Sequence, residues 1–285
     1  MPDRLRLVES PTVVWLFGHP VGHSLSPLMH NAAFKHHSLD MTYIARDVRP
    51  EELPTAVAEL RSRLARGANL TLPHKQAVLP LLDEIDPEAA RVGAVNTVVN
   101  EEGNLSGYNT DLEGFRRALR EARTGGAEGV DCLVLGAGGA ARAVVAALVK
   151  DRAAHIWVAN RTKERAIALS ADAEGWGVTT VSALSLNEVG GVAGKCAVVV
   201  NATALGLPHS VKDLPMDVDT LNRGQVLVDL VYGAEPTPLV EAARRRGLMA
   251  IDGKEMLVQQ AALSYRLWTG IDAPLEVMRG SLIGR

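Results

Sequence analysis

The strongest chemical signal in the sequence is a glycine-rich turn between an apolar run and an Ala- and Val-rich stretch. In such a strand–turn–helix context, glycines permit a tight turn and let the backbone approach a pyrophosphate, which then meets the helix N-terminus. A glycine cluster alone is only a turn, but here both flanks are correct. The sequence therefore predicts a dinucleotide site of the form G-x-G-x-x-A, made by Gly136, Ala137, Gly138, Gly139, Ala140 and Ala141.

The residues about 20 positions beyond these glycines indicate which dinucleotide binds. An NAD-binding unit usually carries Asp or Glu there, to hold the ribose hydroxyls. This chain has Asn160, Arg161 and Thr162 instead, with Arg165 nearby. Because a guanidinium can bind a 2′-phosphate that a carboxylate would repel, we expect NADP. The segment can equally be a solvated helix start capped by Thr162, and both interpretations can hold together.

A nicotinamide cofactor transfers hydride, so a further group must handle a proton. Polar clusters at 69–75, 93–97 and 107–111 each follow a predicted strand, where open α/β sheets place ligand sites. Lys75 could protonate an oxyanion, with the Asp111 carboxylate orienting it. However, most lysines are surface residues, and Asp111 could simply complement the dipole of a helix that begins there. Spacing alone does not show whether the two side chains meet.

The loop GHPVGHSLSPLMHN, at 18–31, is rich in histidine and serine. It could form a metal site, a serine nucleophile with a histidine base, or neither. Ser26 before Pro27 predicts a helix start, with serine as the cap. Ser24 and Ser26 at a helix N-terminus can also receive a carboxylate. We therefore interpret the serines as anion ligands. No H-E-x-x-H sequence supports a metal enzyme, and we expect packing or loop hydrogen-bonding roles for His19, His23 and His30.

The elements that must position these residues alternate along the chain, as in βαβ units with a mostly parallel sheet. In the first half, the pattern predicts strands at 12–18, 41–47 and 67–72, helices at 27–37 and 51–66, and a hairpin within 94–111. A second series of strands begins near Val130, and the tail from Asp252 is mainly helical. The polar, glycine-rich segment 120–131 is the predicted boundary between two domains, the number expected for 285 residues.

Composition excludes several classes of function. There are 30 Lys and Arg against 33 Asp and Glu, so the chain lacks the excess of basic residues that is typical of nucleic-acid-binding proteins. No apolar run is long enough for a membrane span, and the first residues lack the apolar core of a signal peptide. Cys132 and Cys196 lie in separate apolar runs, which fits a reducing compartment. We expect a soluble cytoplasmic protein that acts on a small molecule, as a monomer or a homodimer.

Nine motifs together resemble the shikimate dehydrogenase family, in that family's order and across nearly the full chain. They are GHPVGHSLSP, GANLTLPHK, GAVNT, GYNTDLEGF, GAGGAAR, NRT, NATALG, DLVYG…TPL and DGKEMLVQQAA. The resemblance implies an α/β fold with two domains. Residues 1–111 plus 254–285 would form a substrate-binding catalytic domain with a mainly parallel mixed sheet, to which the C-terminal helices return. Residues 112–253 would form a Rossmann-type NADP-binding domain.

The resemblance also implies the activity and the roles of individual residues. The activity would be the NADPH-dependent, reversible reduction of 3-dehydroshikimate to shikimate, within aromatic amino acid and chorismate biosynthesis. Lys75 would be the catalytic acid and base, paired with Asp111. The substrate would be bound by Ser24, Ser26, Asn69, Thr71, Asn96, Tyr232 and Gln260. The cofactor would be bound by the 136–141 turn and by Asn160, Arg161, Thr162, Arg165, Leu230 and Gly253.

Some positions depart from the commoner family pattern, and alternatives remain. Ala204 stands where proline is frequent, and Lys254-Glu255 where glycine often precedes Met-Leu; the departures put cofactor affinity in doubt. One alternative is a quinate/shikimate or aminoshikimate dehydrogenase of broader substrate range. A second is a non-catalytic NADP-binding regulator, since fold alone never fixes function.

Overall fold

The alternation of strands and helices is confirmed by the computed structural model, which describes residues 12–203, 214–233 and 235–283. The strands are β1 (Thr12–Gly18), β2 (Met41–Asp47), β3 (Ala65–Leu70), β4 (Glu84–Ile85), β5 (Thr97–Glu101), β6 (Asn104–Tyr108), β7 (Asp131–Leu135), β8 (His155–Asn160), β9 (Thr180–Ser185), β10 (Val198–Asn201), β11 (Val226–Asp229) and β12 (Met249–Ile251). The helices are α1 (Ser26–His36), α2 (Leu53–Glu59), α3 (His74–Ala77), α4 (Pro87–Val92), α5 (Asp111–Ala122), α6 (Gly139–Lys150), α7 (Lys163–Ala173), α8 (Pro238–Arg245), α9 (Gly253–Thr269) and α10 (Leu275–Gly280).

The described residues fall into two compact units. The first contains the described residues up to Thr110 together with Leu257–Ile283, and the second contains the described residues between Asp111 and Met256. The chain therefore changes unit directly before α5 and again within α9. The segment 120–131, which the sequence suggested as a boundary, instead connects α5 to β7 inside the second unit.

The first unit is built on a mixed six-stranded sheet in the order β2-β1-β3-β5-β6-β4. β1 pairs in parallel with β2 and β3, whereas β3–β5 and β5–β6 are antiparallel. The predicted hairpin is confirmed as β5 and β6. One side of the sheet is covered by a core in which Phe17, Leu60, Leu70 and Val98 are buried.

The second unit is built on a parallel six-stranded sheet in the order β12-β11-β10-β7-β8-β9. This is the Rossmann order, in which the chain starts in the middle, runs to one edge and returns to fill the other. The direction of winding reverses between β7 and β10. Ligands of open α/β sheets bind at such a switch point, beyond the carboxyl ends of the strands.

Some local predictions were wrong, for identifiable reasons. The helix expected over 51–66 is reduced to α2, because Ala65 already pairs with Val13 in the sheet. For the same reason β3 begins and ends two residues earlier than the predicted strand at 67–72. β4, β9 and β12 were not predicted. All three are edge strands that carry short or half-exposed apolar patterns.

The C-terminal part of α9 packs across the first sheet. Trp268 is buried, and its indole N–H donates to the carbonyl of Val98 on β5 at 2.9 Å. Arg66 on β3 donates in turn to the Trp268 carbonyl at 2.7 Å. These bonds place one face of α9 over the strands that carry the polar motifs. Among the described helices, none combines the length and the apolar composition that a bilayer crossing requires.

Candidate active site

Six buried polar side chains meet where β3, β5 and β6 present the motifs of the first unit. We call them the amide–hydroxyl cluster, and its members are Asn69, Asn96, Thr97, Thr110, Gln260 and Ser264. They come from four separate stretches of sequence and are joined by direct hydrogen bonds. Since none of them carries a formal charge, the cluster suits a polyhydroxylated molecule better than a strongly charged one.

Asn96 is the centre of this cluster. Its side-chain oxygen accepts the backbone N–H of Thr110 at 2.7 Å, and its amide nitrogen donates to the Thr110 hydroxyl at 2.9 Å and to the Gln260 oxygen at 3.3 Å. The hydroxyl of Ser264 lies 3.0 Å from that of Thr110 and 2.8 Å from that of Thr97. The structure therefore brings together Asn96 and Gln260, two of the predicted substrate residues.

Asn69 is engaged with the protein on both ends of its amide. Its oxygen accepts the Tyr43 hydroxyl at 2.7 Å, and its nitrogen donates to the Asn96 carbonyl at 2.9 Å and to Ser264 at 3.2 Å. Only 5% of Asn69 is exposed. The side chain is thus held in one orientation before any ligand binds.

Lys75 lies on the single turn of α3, directly after β3, and is half-buried. Its carbonyl accepts the backbone N–H of Val95 at 2.8 Å, so its main chain is fixed beside the residue that precedes Asn96. The carbonyl of Thr71, which is also half-buried, accepts the backbone N–H of His74 at 2.8 Å. The motif GANLTLPHK is therefore folded back on GAVNT by main-chain bonds.

Asp111 opens α5 and is 4% exposed. It belongs to the second unit, whereas Lys75 belongs to the first. The residue before it, Thr110, is a member of the amide–hydroxyl cluster. Asn96 thus holds the residue directly before Asp111, because it bonds to both the backbone N–H and the hydroxyl of Thr110.

Ser24 and Ser26 lie together at the start of α1. The backbone N–H of Ser26 donates to the Ser24 hydroxyl oxygen at 3.2 Å, and the two hydroxyls are also 3.2 Å apart. The expectation that Ser26 caps the helix was wrong, because it is already the first helical residue and the side chain that receives an N–H is that of Ser24. Both hydroxyls remain at the positive end of a helix of 11 residues.

The histidines near this loop have three different environments. His30 is completely buried and stacks on Tyr43 with ring centroids 4.4 Å apart. His19 reaches Asp47 at 2.5 Å, and His23 is exposed. Across the described ranges, no three His, Cys, Asp or Glu side chains are grouped as a metal site would require.

The glycine turn of the second unit follows β7 at the switch point. Gly136 has φ +112°, a conformation that side chains rarely adopt, and a Cβ there would come within 2.8 Å of the Ala202 carbonyl oxygen. A Cβ on Gly138 would meet nothing within 4 Å, so this face of the turn is open. No side chain caps the N-terminus of α6, whose 12 residues follow at once. An open turn that leads into a helix start without a side-chain cap fits a pyrophosphate.

The end of β8 carries the residues that we expect at the adenosine ribose. Asn160 donates to the Thr162 carbonyl at 2.9 Å, while Arg161 and Arg165 are exposed. Thr162 occupies the cap position of α7 but its side chain makes no capping bond, so the capping interpretation was wrong. The exposed guanidinium groups of Arg161 and Arg165 fit a 2′-phosphate, and residues 160–162 include no carboxylate that would repel it.

The remaining predicted cofactor residues lie near one another beyond β11 and at the start of α9. The backbone N–H of Gly253 donates to the Val231 carbonyl at 3.3 Å, and a Cβ on Gly253 would overlap the carbonyl oxygen of Leu230. Tyr232, next in the chain, is half-buried. Lys254 donates its backbone N–H to Asp252 at 3.0 Å. Ala204, the other departure from the family pattern, lies outside the described residues.

Sequence reasoning missed four residues of the first unit's polar network, namely Tyr43, Thr97, Thr110 and Ser264. Thr97 and Thr110 lay within quoted motifs but were not assigned a role in the site. Ser264 follows Gln260 by four residues on α9, so helical spacing could have placed both on one face. No local signal pointed to Tyr43, which reaches Asn69 across the sheet.

The fold and the site define a two-unit α/β protein with a Rossmann-type dinucleotide turn in one unit and an uncharged polar cluster in the other. Family models for three consecutive parts of such proteins match the chain: the shikimate dehydrogenase substrate binding domain at 16–98, shikimate/quinate 5-dehydrogenase at 118–252, and the shikimate 5′-dehydrogenase C-terminal domain at 253–283. The chain belongs to the shikimate dehydrogenase family.

Individual relatives agree over nearly the full length. A protein of Moorella thermoacetica named shikimate dehydrogenase (NADP(+)) is 45% identical, over 96% of this chain and 93% of that protein. One of the same name from Rubrobacter xylanophilus is 45% identical over 98% of each. The crystal structure of shikimate 5-dehydrogenase from Thermus thermophilus, in complex with NADP(H) and shikimate, matches with 42% identity and a TM-score of 0.82, covering 95% of this chain and 98% of that one.

Proposed function

We propose that this protein is an NADP-dependent shikimate dehydrogenase, which reduces 3-dehydroshikimate to shikimate reversibly. One observation carries the proposal: this member of the family has both an uncharged cluster, which suits a polyhydroxylated ring, and an open dinucleotide turn. The shared name and near-complete coverage of the relatives support the same substrate pair.

NADP is the proposed cofactor, and when bound it supplies or accepts the hydride. The open face of the 136–141 turn and the N-terminus of α6 would hold the pyrophosphate. Arg161 and Arg165 would bind the 2′-phosphate, with Asn160 and Thr162 at the same strand end. Leu230 and Gly253 would border the nicotinamide.

The substrate would bind through its carboxylate and its ring hydroxyls. Ser24 and Ser26 offer two hydroxyls and the positive end of α1 to the carboxylate, without a buried cation. Asn96 and Gln260 of the amide–hydroxyl cluster would contact the ring hydroxyls. Asn69, Thr71 and Tyr232 complete the proposed substrate set.

Lys75 would be the proton donor in the reduction and the acceptor in the reverse direction. As hydride reaches the ketone carbon, the Lys75 ammonium gives its proton to the carbonyl oxygen, which becomes the new hydroxyl. The Asp111 carboxylate would orient and stabilise that ammonium. The pairing rests on the resemblance to the family. Within the first unit, Val95 holds the main chain of Lys75, and the next residue, Asn96, holds Thr110, which precedes Asp111 in the chain.

The test is a shikimate-dependent change in reduced-nicotinamide absorbance, measured with NADP and with NAD. We expect turnover with NADP, and Lys75→Ala should lower kcat by about 10²–10⁴-fold while shikimate still binds. The control is Lys35→Ala, an exposed lysine of the same unit on α1. Near-normal kcat in Lys75→Ala would remove the proposed proton donor, and absence of turnover in the unmodified protein would favour a non-catalytic NADP-binding regulator.

Quinate is the second candidate substrate, because the family model that matches 118–252 covers both shikimate and quinate dehydrogenases. Against a quinate enzyme that uses NAD, the chain has Asn160 and Arg161 where such an enzyme would carry an acidic residue. A higher kcat/KM for quinate with NAD than for shikimate with NADP would overturn the assignment.

The proposal also places the protein in the cytoplasm, as a monomer or a homodimer. Its two described cysteines, Cys132 and Cys196, are buried and unpaired, which fits a reducing compartment. Light scattering of the purified protein decides between the two assembly states.

A further inference from the structure

A buried carboxylate lies at the switch point of the second unit, and neither the proton transfer nor cofactor binding uses it. Asp229 ends β11 with no exposed surface, and Asn201, directly opposite on β10, is also fully buried. The Asn201 amide donates to Oδ1 of Asp229 at 2.8 Å. The Thr237 hydroxyl donates to Oδ2 at 2.5 Å. We call these three side chains the Asp229 network.

Three hydrogen bonds of this network are directed towards the Asp229 carboxylate. Besides Asn201 and Thr237, the backbone N–H of Val231 donates to Oδ1 of Asp229 at 3.1 Å. Burial raises the pKa of Asp229, and these three bonds oppose that rise. A carboxylate that receives three donors and is shielded from water fixes their positions more firmly than an exposed one.

One side of the network fixes the turn after β10. The Asn201 side-chain oxygen accepts both the backbone N–H of Thr203, at 3.1 Å, and its hydroxyl, at 2.7 Å. Ala202 lies between Asn201 and Thr203 in the chain, and a Cβ on Gly136 would come within 2.8 Å of its carbonyl oxygen. The network therefore sets the backbone that packs against the glycine turn.

The other side of the network fixes the segment after β11. The Val231 N–H is held by Asp229, and the Val231 carbonyl accepts the N–H of Gly253. Leu230 and Gly253 are in such close contact that Gly253 has no room for a side chain. One carboxylate thus holds two backbone segments on adjacent strand ends, both at the crevice where this fold binds its ligand.

We propose that Asp229 is a positioning residue, which holds Ala202-Thr203 and Leu230-Val231 in the arrangement that receives the nicotinamide half of the cofactor. It acts through these segments and does not touch the cofactor. The inference rests on the proposed function, because it requires a nicotinamide dinucleotide at the 136–141 turn. The adenosine half, at the end of β8, is on the other side of β7 from the network.

Asn201→Asp breaks the network without removing a side chain, because it sets two carboxylates against each other on adjacent strands. Adding Asp229→Asn exchanges the two groups and restores a hydrogen bond between them with reversed direction. Thr237→Val is the matched control. It removes one bond to Asp229 and the cap of α8, but leaves both backbone segments held.

The probes are NADP and 2′,5′-ADP, whose dissociation constants are measured by calorimetry, with kcat and KM recorded alongside. We expect Asn201→Asp to weaken NADP binding by about 10-fold or more, which is the cost of one charged buried hydrogen bond, while 2′,5′-ADP changes by less than about twofold. The exchange variant Asn201→Asp/Asp229→Asn should recover only part of the NADP affinity, because the amide nitrogen that then faces residue 201 takes the place of Oδ1, which accepts the Val231 N–H. Thr237→Val should lower thermal stability and leave NADP affinity within about twofold of normal.

Three results would overturn the inference. They are unchanged NADP affinity in Asn201→Asp, equal loss of NADP and 2′,5′-ADP affinity, and a loss of NADP affinity in Thr237→Val as large as in Asn201→Asp. If Asn201→Asp does not fold, the exchange variant is compared directly with Thr237→Val. Weaker NADP binding in the folded exchange variant than in Thr237→Val, with 2′,5′-ADP unchanged, supports the inference, and equal NADP binding in the two overturns it. Because these readouts are binding constants, they stay informative if the protein proves inactive towards shikimate, which would instead refute the proposed function.

Discussion

We expect the buried imidazole of His30 to make the stability of the first unit strongly dependent on pH. The ring stacks on Tyr43 at 4.4 Å and lies edge-on to Trp268 at 5.3 Å. Neither ring nitrogen reaches a hydrogen-bond partner among the described residues. Burial lowers the pKa of His30 from 6.5 to about 3, because the charged form has lost its hydration.

The direction of the effect follows from where the proton binds. In the unfolded chain the imidazole takes up a proton near its ordinary pKa of 6.5, whereas the folded protein keeps it neutral down to about 3. Unfolding is therefore favoured as pH falls through this window, by about 1.4 kcal/mol per pH unit. Relative to about pH 7.5, His30 alone should lower the free energy of unfolding by about 1.4 kcal/mol at about pH 5.5 and about 2.6 kcal/mol at about pH 4.5.

The assay is urea unfolding followed by tryptophan fluorescence at each pH, for the unmodified protein, His30→Leu and the control His23→Leu. His23 is exposed, so its replacement should leave the pH dependence unchanged. Subtracting the curves cancels the other titrating groups. We expect the difference between the unmodified protein and His30→Leu to change by the amounts above. Parallel curves for these two proteins would refute the argument, because they would mean that His30 ionises in the folded state.

Further predictions concern the two binding sites. Ser24→Ala and Ser26→Ala should each raise KM for shikimate more than they change NADP affinity, and steady-state kinetics with both substrates varied would reveal the reverse pattern. Gly136→Ala should weaken NADP binding by at least about tenfold, because a Cβ at φ +112° would approach the Ala202 carbonyl within 2.8 Å; titration with NADP measures the loss, and unchanged affinity would contradict the fit of the turn. Arg161→Gln should reduce the preference for NADP over NAD through a higher KM for NADP, and equal effects on both cofactors would argue against a 2′-phosphate contact.

The nucleotide unit was the easier part to predict from sequence. A parallel strand buried on both faces needs a continuous apolar run, and β7, β8, β10 and β11 each have one. The sequence also predicts the turn at Gly136, where the structure has φ +112°, a conformation that favours glycine. The edge strand β9 is interrupted by serines and β12 is only three residues long, and neither was predicted.

The substrate unit shows why local patterns fall short. The pattern of 51–66 fits a helix, yet Ala65 pairs with Val13, a residue about 50 positions earlier, and ends that helix early. Ser26 has the sequence of a capping residue, but Ser24 receives the N–H. In the first case a long-range strand pairing decided between two locally acceptable structures, and in the second the choice lay between two serines only two positions apart.

The sequence by itself determined the class of each half, the glycine turn, the absence of an acidic residue at 160–162, and the motif order that marks the family. These depend on residue type and on short spacings, which fix backbone conformation and charge locally. The tertiary structure alone decided which polar groups meet. Asn69, Thr110 and Ser264 are far apart in sequence and touch only because the strands and α9 converge. The Asp229 network likewise exists only because β10 and β11 are neighbours in register, and no spacing along the chain encodes that pairing.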